Sequence, residues 1–147
     1  MTALADFFDL IGVIQEILNL SRSIIQKHIS DEYRERIYFE IEKIFERFLN
    51  QSEIIEDIEL NKISFSRDKG FNIIHINPTN CDPLLAKRIL KDILQGVIYA
   101  FKNVLGEEKA VSFFRKGGIF NYIYNNLKFI KNLKIDHFLI RLLLLID

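Results

Sequence analysis

The most regular pattern of apolar and polar positions in the chain runs from residue 82 to residue 105. Apolar side chains recur there at steps of three and four residues for more than five turns, which places them on one face of a helix. These positions are Ala86, Ile89, Leu90, Ile93, Leu94, Val97, Ile98, Phe101, Val104 and Leu105. Asp82 and Pro83 suit the start of a helix, and Gly106 suits its end. We therefore predict a central amphipathic helix over residues 83–105.

Two long helical patterns precede this helix, over residues 3–29 and 31–49. The first carries an apolar residue every seven positions, at Leu4, Ile11, Leu18 and Ile25. Such a repeat fits either a core helix of a monomer or a seam against the same helix of a second chain. Ser30 suits a helix start, but no Gly or Pro separates the two patterns. A single bent helix over residues 3–49 is therefore the alternative to two helices.

The periodicity then changes to that of a strand. Alternating and β-branched residues over 59–66 and 71–77 flank the sequence Arg67-Asp68-Lys69-Gly70, which is typical of a tight turn. We predict a β-hairpin, which must lie against the helices because an isolated hairpin is marginally stable.

The C-terminal part predicts two to three shorter helices. One covers about 107–116; residues 119–130 fit both a helix and a strand, and we favour the helix. The last segment, 136–146, is apolar almost all round, so it is either central in the core or covered by a partner. The expected fold is a mainly helical α+β domain over residues 1–147. Residues 1–51 would be a helical hairpin or bent helix able to dimerise, and 52–147 the hairpin and helical core.

Composition agrees with one domain, since 49% of the 147 residues are hydrophobic. The net charge is zero but unevenly spread. Residues 1–80 hold 14 acidic and 9 basic residues, or −5, whereas residues 81–147 hold 6 acidic and 11 basic residues, or +5. The halves could attract each other within one fold or between copies. The basic half could also meet an anionic partner, through Lys87, Lys91, Lys128 and Lys131.

Chemical signatures are weak. His28, His75 and His137 show no metal-ligand spacing, and no glycine-rich phosphate motif is present. We therefore expect no catalytic residue, metal site or cofactor. The single cysteine, Cys81, rules out an intrachain disulfide and suits a reducing cytoplasm. The sequence lacks a signal-peptide pattern and an apolar run long enough to span a membrane, so a cytoplasmic location is expected.

The expected function is a non-enzymatic regulatory or protein–protein interaction module, most simply a homodimer. The interaction surface would be the apolar positions on the first and last helices, Leu4, Ile11, Leu18, Ile25, Phe138, Leu142 and Leu143. One alternative is a sensor that binds a small apolar ligand among the C-terminal aromatic residues. These are Phe113, Phe114, Phe120, Tyr122, Tyr124 and Phe129. Another alternative is nucleic-acid binding by the basic half, with a membrane surface as a less favoured partner.

Overall fold

A computed structural model describes residues 2–49, 63–73 and 83–145, and the structural statements below concern these residues. The described elements are helices and one two-stranded hairpin, which confirms the mainly helical α+β class. In chain order they are α1 (Thr2–His28), α2 (Asp31–Leu49), β1 (Ile63–Ser66), β2 (Gly70–Ile73), α3 (Pro83–Leu105), α4 (Glu107–Lys116), α5 (Ile119–Asn125), α6 (Leu127–Asn132) and α7 (Asp136–Leu143).

Residues 2–49 form two helices rather than one bent helix. The chain leaves helical geometry at Ile29 and Ser30. Arg34 explains how the first helix can end there. Its guanidinium donates hydrogen bonds to the carbonyl oxygens of Ile25, Gln26 and Ile29 at 3.1, 3.0 and 3.1 Å. Ile25 and Gln26 are in the last turn of α1, where a helix end leaves carbonyls without partners, so Arg34 replaces the glycine that usually marks such a turn.

Helices α1, α2 and α3 supply most of the core. The predicted apolar face of α3 is buried from Ile89 to Phe101, and Val104 and Leu105 pack at its edge. The side chain of Ala86 lies outside the described part. Apolar residues of α1 and α2, including Ile17, Leu18, Ile37 and Ile41, are buried in the same cluster. The two N-terminal helices therefore cover the central helix. Their apolar faces are buried by this contact within one chain.

The hairpin pairs β1 and β2 in antiparallel register, with Ile63 opposite Ile73 and Phe65 opposite Phe71. The described strands fall on the predicted segments 59–66 and 71–77, of which residues 59–62 and 74–77 lie outside the described part. Gly70 has a φ of 83°, so it provides the left-handed turn residue that the sequence indicated.

Side chains of the two N-terminal helices hold the hairpin, as expected for an element that is marginal alone. Gln15 donates to the carbonyl oxygen of Phe71 at 3.1 Å and accepts from the backbone N–H of Ile73 at 3.0 Å. Arg67, in the turn, forms ion pairs with Glu35 and Glu42 of α2. The ring of Phe71 lies 5.9 Å from that of Phe45 on α2.

The C-terminal part contains four short helices, one more than the upper end of the predicted range. Residues 119–130 are helical, as predicted, but Asn126 divides them into α5 and α6. Its side-chain amide donates to the carbonyl oxygen of Tyr122 at 2.8 Å, which satisfies a carbonyl at the end of α5. Among the described helices, none is both long and apolar enough to cross a membrane.

Candidate functional site

The predicted interaction residues on α1 lie mainly inside the chain's own core. Leu18 and Ile25 are 0% exposed, and Ile11 is partly buried against the core. The side chain of Leu4 lies outside the described part. Leu18 and Ile25 are therefore not on the surface of this fold. The described residues of the seven-residue repeat pack mainly against other residues of the same chain.

The predicted interaction residues on α7 are also buried or half-buried. Leu142 and Leu143 are buried, and Phe138 is half-buried. Ile140 of this helix and Leu144, which directly follows its end, are exposed at 39% and 37%. An all-round apolar sequence has no period that identifies the outer face, so the sequence offered no signal for this pair.

A groove between the start of α3 and the start of α7 brings several predicted residues together. It has a volume of about 420 Å³ and is lined by Leu84, Lys87, Arg88, Lys91, Asp92, Lys134 and Phe138. We call it the basic groove, because four cationic side chains and one anionic side chain give its lining a net charge of +3. Such a concentration of one sign attracts anionic groups and raises their rate of encounter.

Two elements position the cations of this groove. Lys87, Arg88 and Lys91 share one side of α3 through their spacing of three and four residues. Lys134 comes from the turn before α7, where it adopts a left-handed φ of 61°. The ammonium nitrogen of Lys91 lies 4.6 Å from the ring centroid of Phe138. This cation–π contact keeps a charge directly above an apolar wall.

The second predicted basic pair lies elsewhere. Lys128 and Lys131 are exposed on α6 and do not line the basic groove. The structure thus separates the four predicted lysines into a groove pair, Lys87 and Lys91, and a surface pair on α6. Arg88 and Lys134 are the additional cations of the basic groove.

Titratable groups with shifted pKa values lie outside the basic groove. Burial, and then the negative charge of Glu16, raise the pKa of Tyr122. Hydrogen bonds from Arg67 to Glu42 and Glu35 raise the pKa of the Arg67 guanidinium. Within the described ranges, no group of three or more His, Cys, Asp or Glu side chains could hold a metal ion. His75 and Cys81 lie outside those ranges.

The six C-terminal aromatic residues do not gather around one cavity. Phe114 is buried, with its ring centroid 5.2 Å from that of Phe101. Tyr124 and Phe129 are exposed, whereas Phe113 lines a second pocket, near the junction of α1 and α2. Phe113 thus belongs to a pocket whose other lining residues are not among the six.

Comparison of the chain with models of protein families, with curated proteins and with solved structures finds no match. The geometry and charge of the two pockets are accordingly the observations that bear on function.

Proposed function

We propose that the chain is a non-enzymatic interaction module that associates through the basic groove, and that its partner is a second copy of the chain. The observation that carries this proposal is the concentration of four cations around Leu84 and Phe138 in a chain whose other half is acidic. Charge complementarity of this kind sets the orientation and rate of association more than its affinity.

The acidic half offers groups that a basic groove would attract. Asp9 and Glu16 on α1, and Glu32 and Glu46 on α2, are exposed. Glu35 and Glu42 differ, because Arg67 already pairs with both. The exposed carboxylates in the N-terminal half are therefore available to the cations of another copy.

The apolar residues of the groove add attraction that does not depend on charge. Leu84 is 73% exposed, and Phe138 presents one ring face beneath Lys91. Burial of apolar area contributes roughly 25 cal/mol per Å², and the groove offers only a small part of the area in a standard interface. The expected dimer is consequently weak, with a strong dependence on salt concentration.

Sedimentation velocity of the full chain tests this proposal at about 50 and 500 mM salt, which span strong and weak charge interaction. The test variant is Lys87→Glu with Lys91→Glu. The matched control is Lys128→Glu with Lys131→Glu, which changes the net charge equally on α6. The wild type and the control should dimerise at low salt, and the groove variant should be monomeric. Circular dichroism should show that all three are folded, because the replaced residues are not in the core.

Two results would contradict the proposal. One is a wild type that is monomeric at every practical concentration and at both salt levels. The other is equal loss of dimer in both double variants, which would indicate a general charge effect. A nucleic-acid role predicts a different result, in which an oligonucleotide binds with strong salt dependence and the α6 variant abolishes binding.

A further inference from the structure

A second pocket lies where the connection between α1 and α2 meets α4, away from the basic groove. Its volume is about 330 Å³, near the lower end of the range for small-molecule sites. Apolar groups line one part of it, namely Ile29, Leu105, Phe113 and the ring of Tyr33. The part of the lining formed by α4 is otherwise polar and cationic.

Helix α4 arranges the polar part. Lys109, Ser112, Phe113 and Lys116 all line the pocket. Their spacing of three, one and three residues puts them on one face of the helix. Seven residues separate the two lysines, so their Cα atoms are about two turns, or about 10 Å, apart along the helix, with Ser112 and Phe113 between them. His28 and Ser30 add an imidazole and a second hydroxyl from the opposite wall.

The charges of this pocket are not balanced from within. The described residues that line it include two lysines and no carboxylate. In the described part of the chain, Lys102 pairs with Glu107, but no ion pair involves Lys109 or Lys116. The carbonyl groups at the end of α1 are also engaged, since Arg34 takes those of Ile25, Gln26 and Ile29. Both lysines are exposed to solvent, so an anion that enters the pocket meets two unpaired cations and no carboxylate among the lining residues.

We infer that this pocket binds a small amphiphilic organic anion. Its carboxylate or phosphate head lies between Lys109 and Lys116, and its apolar body lies against Phe113, Leu105 and Ile29. A simple inorganic anion would leave the apolar wall uncovered, and a neutral hydrocarbon would leave both lysines without a partner. This site is separate from the basic groove. Its ligand differs from the purely apolar ligand that the C-terminal aromatic residues suggested.

Titration calorimetry and amide NMR spectra of the full chain test the inference with four probes. Octanoate and octyl phosphate carry both head and body, acetate carries only the head, and 1-octanol carries only the body. At least one of the two amphiphilic anions should bind saturably and shift the amide signals of Ser30, Ser112 and Phe113. Acetate and octanol should bind at least about tenfold more weakly, because each lacks one set of contacts.

Two variants locate the binding site. Lys109→Gln with Lys116→Gln should weaken binding at least about tenfold through loss of charge-assisted contacts. Lys128→Gln with Lys131→Gln removes equal charge from α6 and should leave binding unchanged. Ser112→Phe fills the pocket from a half-exposed position and should block binding in a folded chain.

Several results would overturn the inference. These are the absence of saturable binding to both anions, unchanged affinity in the Lys109 and Lys116 variant, or octanol binding as tightly as octanoate. Binding to phosphatidylglycerol vesicles without binding to either soluble anion would overturn it as well, since it would identify a membrane surface as the partner. None of these results depends on whether the chain dimerises.

Discussion

Leu18→Ala distinguishes packing within the chain from packing between chains. Leu18 is completely buried in the described core. Replacing a buried Leu by Ala removes apolar atoms and leaves a cavity, which together cost about 2–5 kcal/mol of the free energy of unfolding. For a domain of this size, that loss lowers the melting temperature by roughly 5–20 °C.

The assay is urea unfolding of the wild type, Leu18→Ala and Leu20→Ala, followed by circular dichroism. Leu20 is only partly buried on the same helix, so its replacement should cost about 1 kcal/mol. Each protein is measured at two concentrations about tenfold apart, because a contact between chains makes apparent stability depend on concentration. A monomer-core role for Leu18 predicts the same loss at both concentrations.

Two results would refute the assignment of Leu18 to the monomer core. A loss below about 1 kcal/mol at both concentrations would mean that the side chain is not fully packed. A loss of stability that differs clearly between the two protein concentrations would place Leu18 at a seam between two copies, which its seven-residue repeat also allowed.

Three further predictions concern the core and its pH dependence. Ile93→Asp should leave the chain unfolded by circular dichroism, because it places a charge at a buried position of α3. Gly117→Ala should cost roughly 1–3 kcal/mol in urea unfolding, since the new Cβ would lie 2.1 Å from Cγ1 of Ile24. The same change should cost less when it is made in an Ile24→Ala background, which is itself destabilised because Ile24 is buried. The raised pKa of Tyr122 stabilises the fold below the ordinary pKa of tyrosine, about 10, and this contribution is lost as pH rises through the raised value. Unfolding free energies measured from about pH 8 to 11 should therefore fall less steeply in Tyr122→Phe than in the wild type.

Local sequence signals were sufficient for α3 but not for the turn between α1 and α2. Residues that are close together in the sequence determine the apolar face of α3 and both of its ends. The spacing of apolar residues and the residues typical of helix ends therefore indicate the same helix. The turn at Ser30 depends on Arg34 reaching back to two carbonyl oxygens of α1 and to that of Ile29. Arginine has no general preference for that task, so the sequence predicted two helices but left one bent helix open as an alternative.

The basic groove was predictable only in the part that one helix supplies. Lys87 and Lys91 share a face of α3 by spacing alone, which is why a basic surface was expected there. Lys134 reaches the same groove from a left-handed backbone conformation that non-glycine residues seldom adopt. Phe138 was assigned to an apolar interaction surface, but its ring forms the wall beneath Lys91. These two positions depend on how α6 and α7 turn, for which the sequence has no local signal.

The burial of Leu18, Ile25, Leu142 and Leu143 changes what kind of self-association the chain can support. From the sequence, the apolar faces of α1 and α7 were expected to be exposed and to bind a second copy, because each helix was considered without its neighbours. In the fold, these four residues contact the chain's own core, and charge dominates the groove beside α3. A dimer held by an apolar seam would be stable or strengthened at high salt, whereas a dimer held by the basic groove would dissociate. The sign of the salt dependence therefore separates the two modes of association without knowledge of the interface.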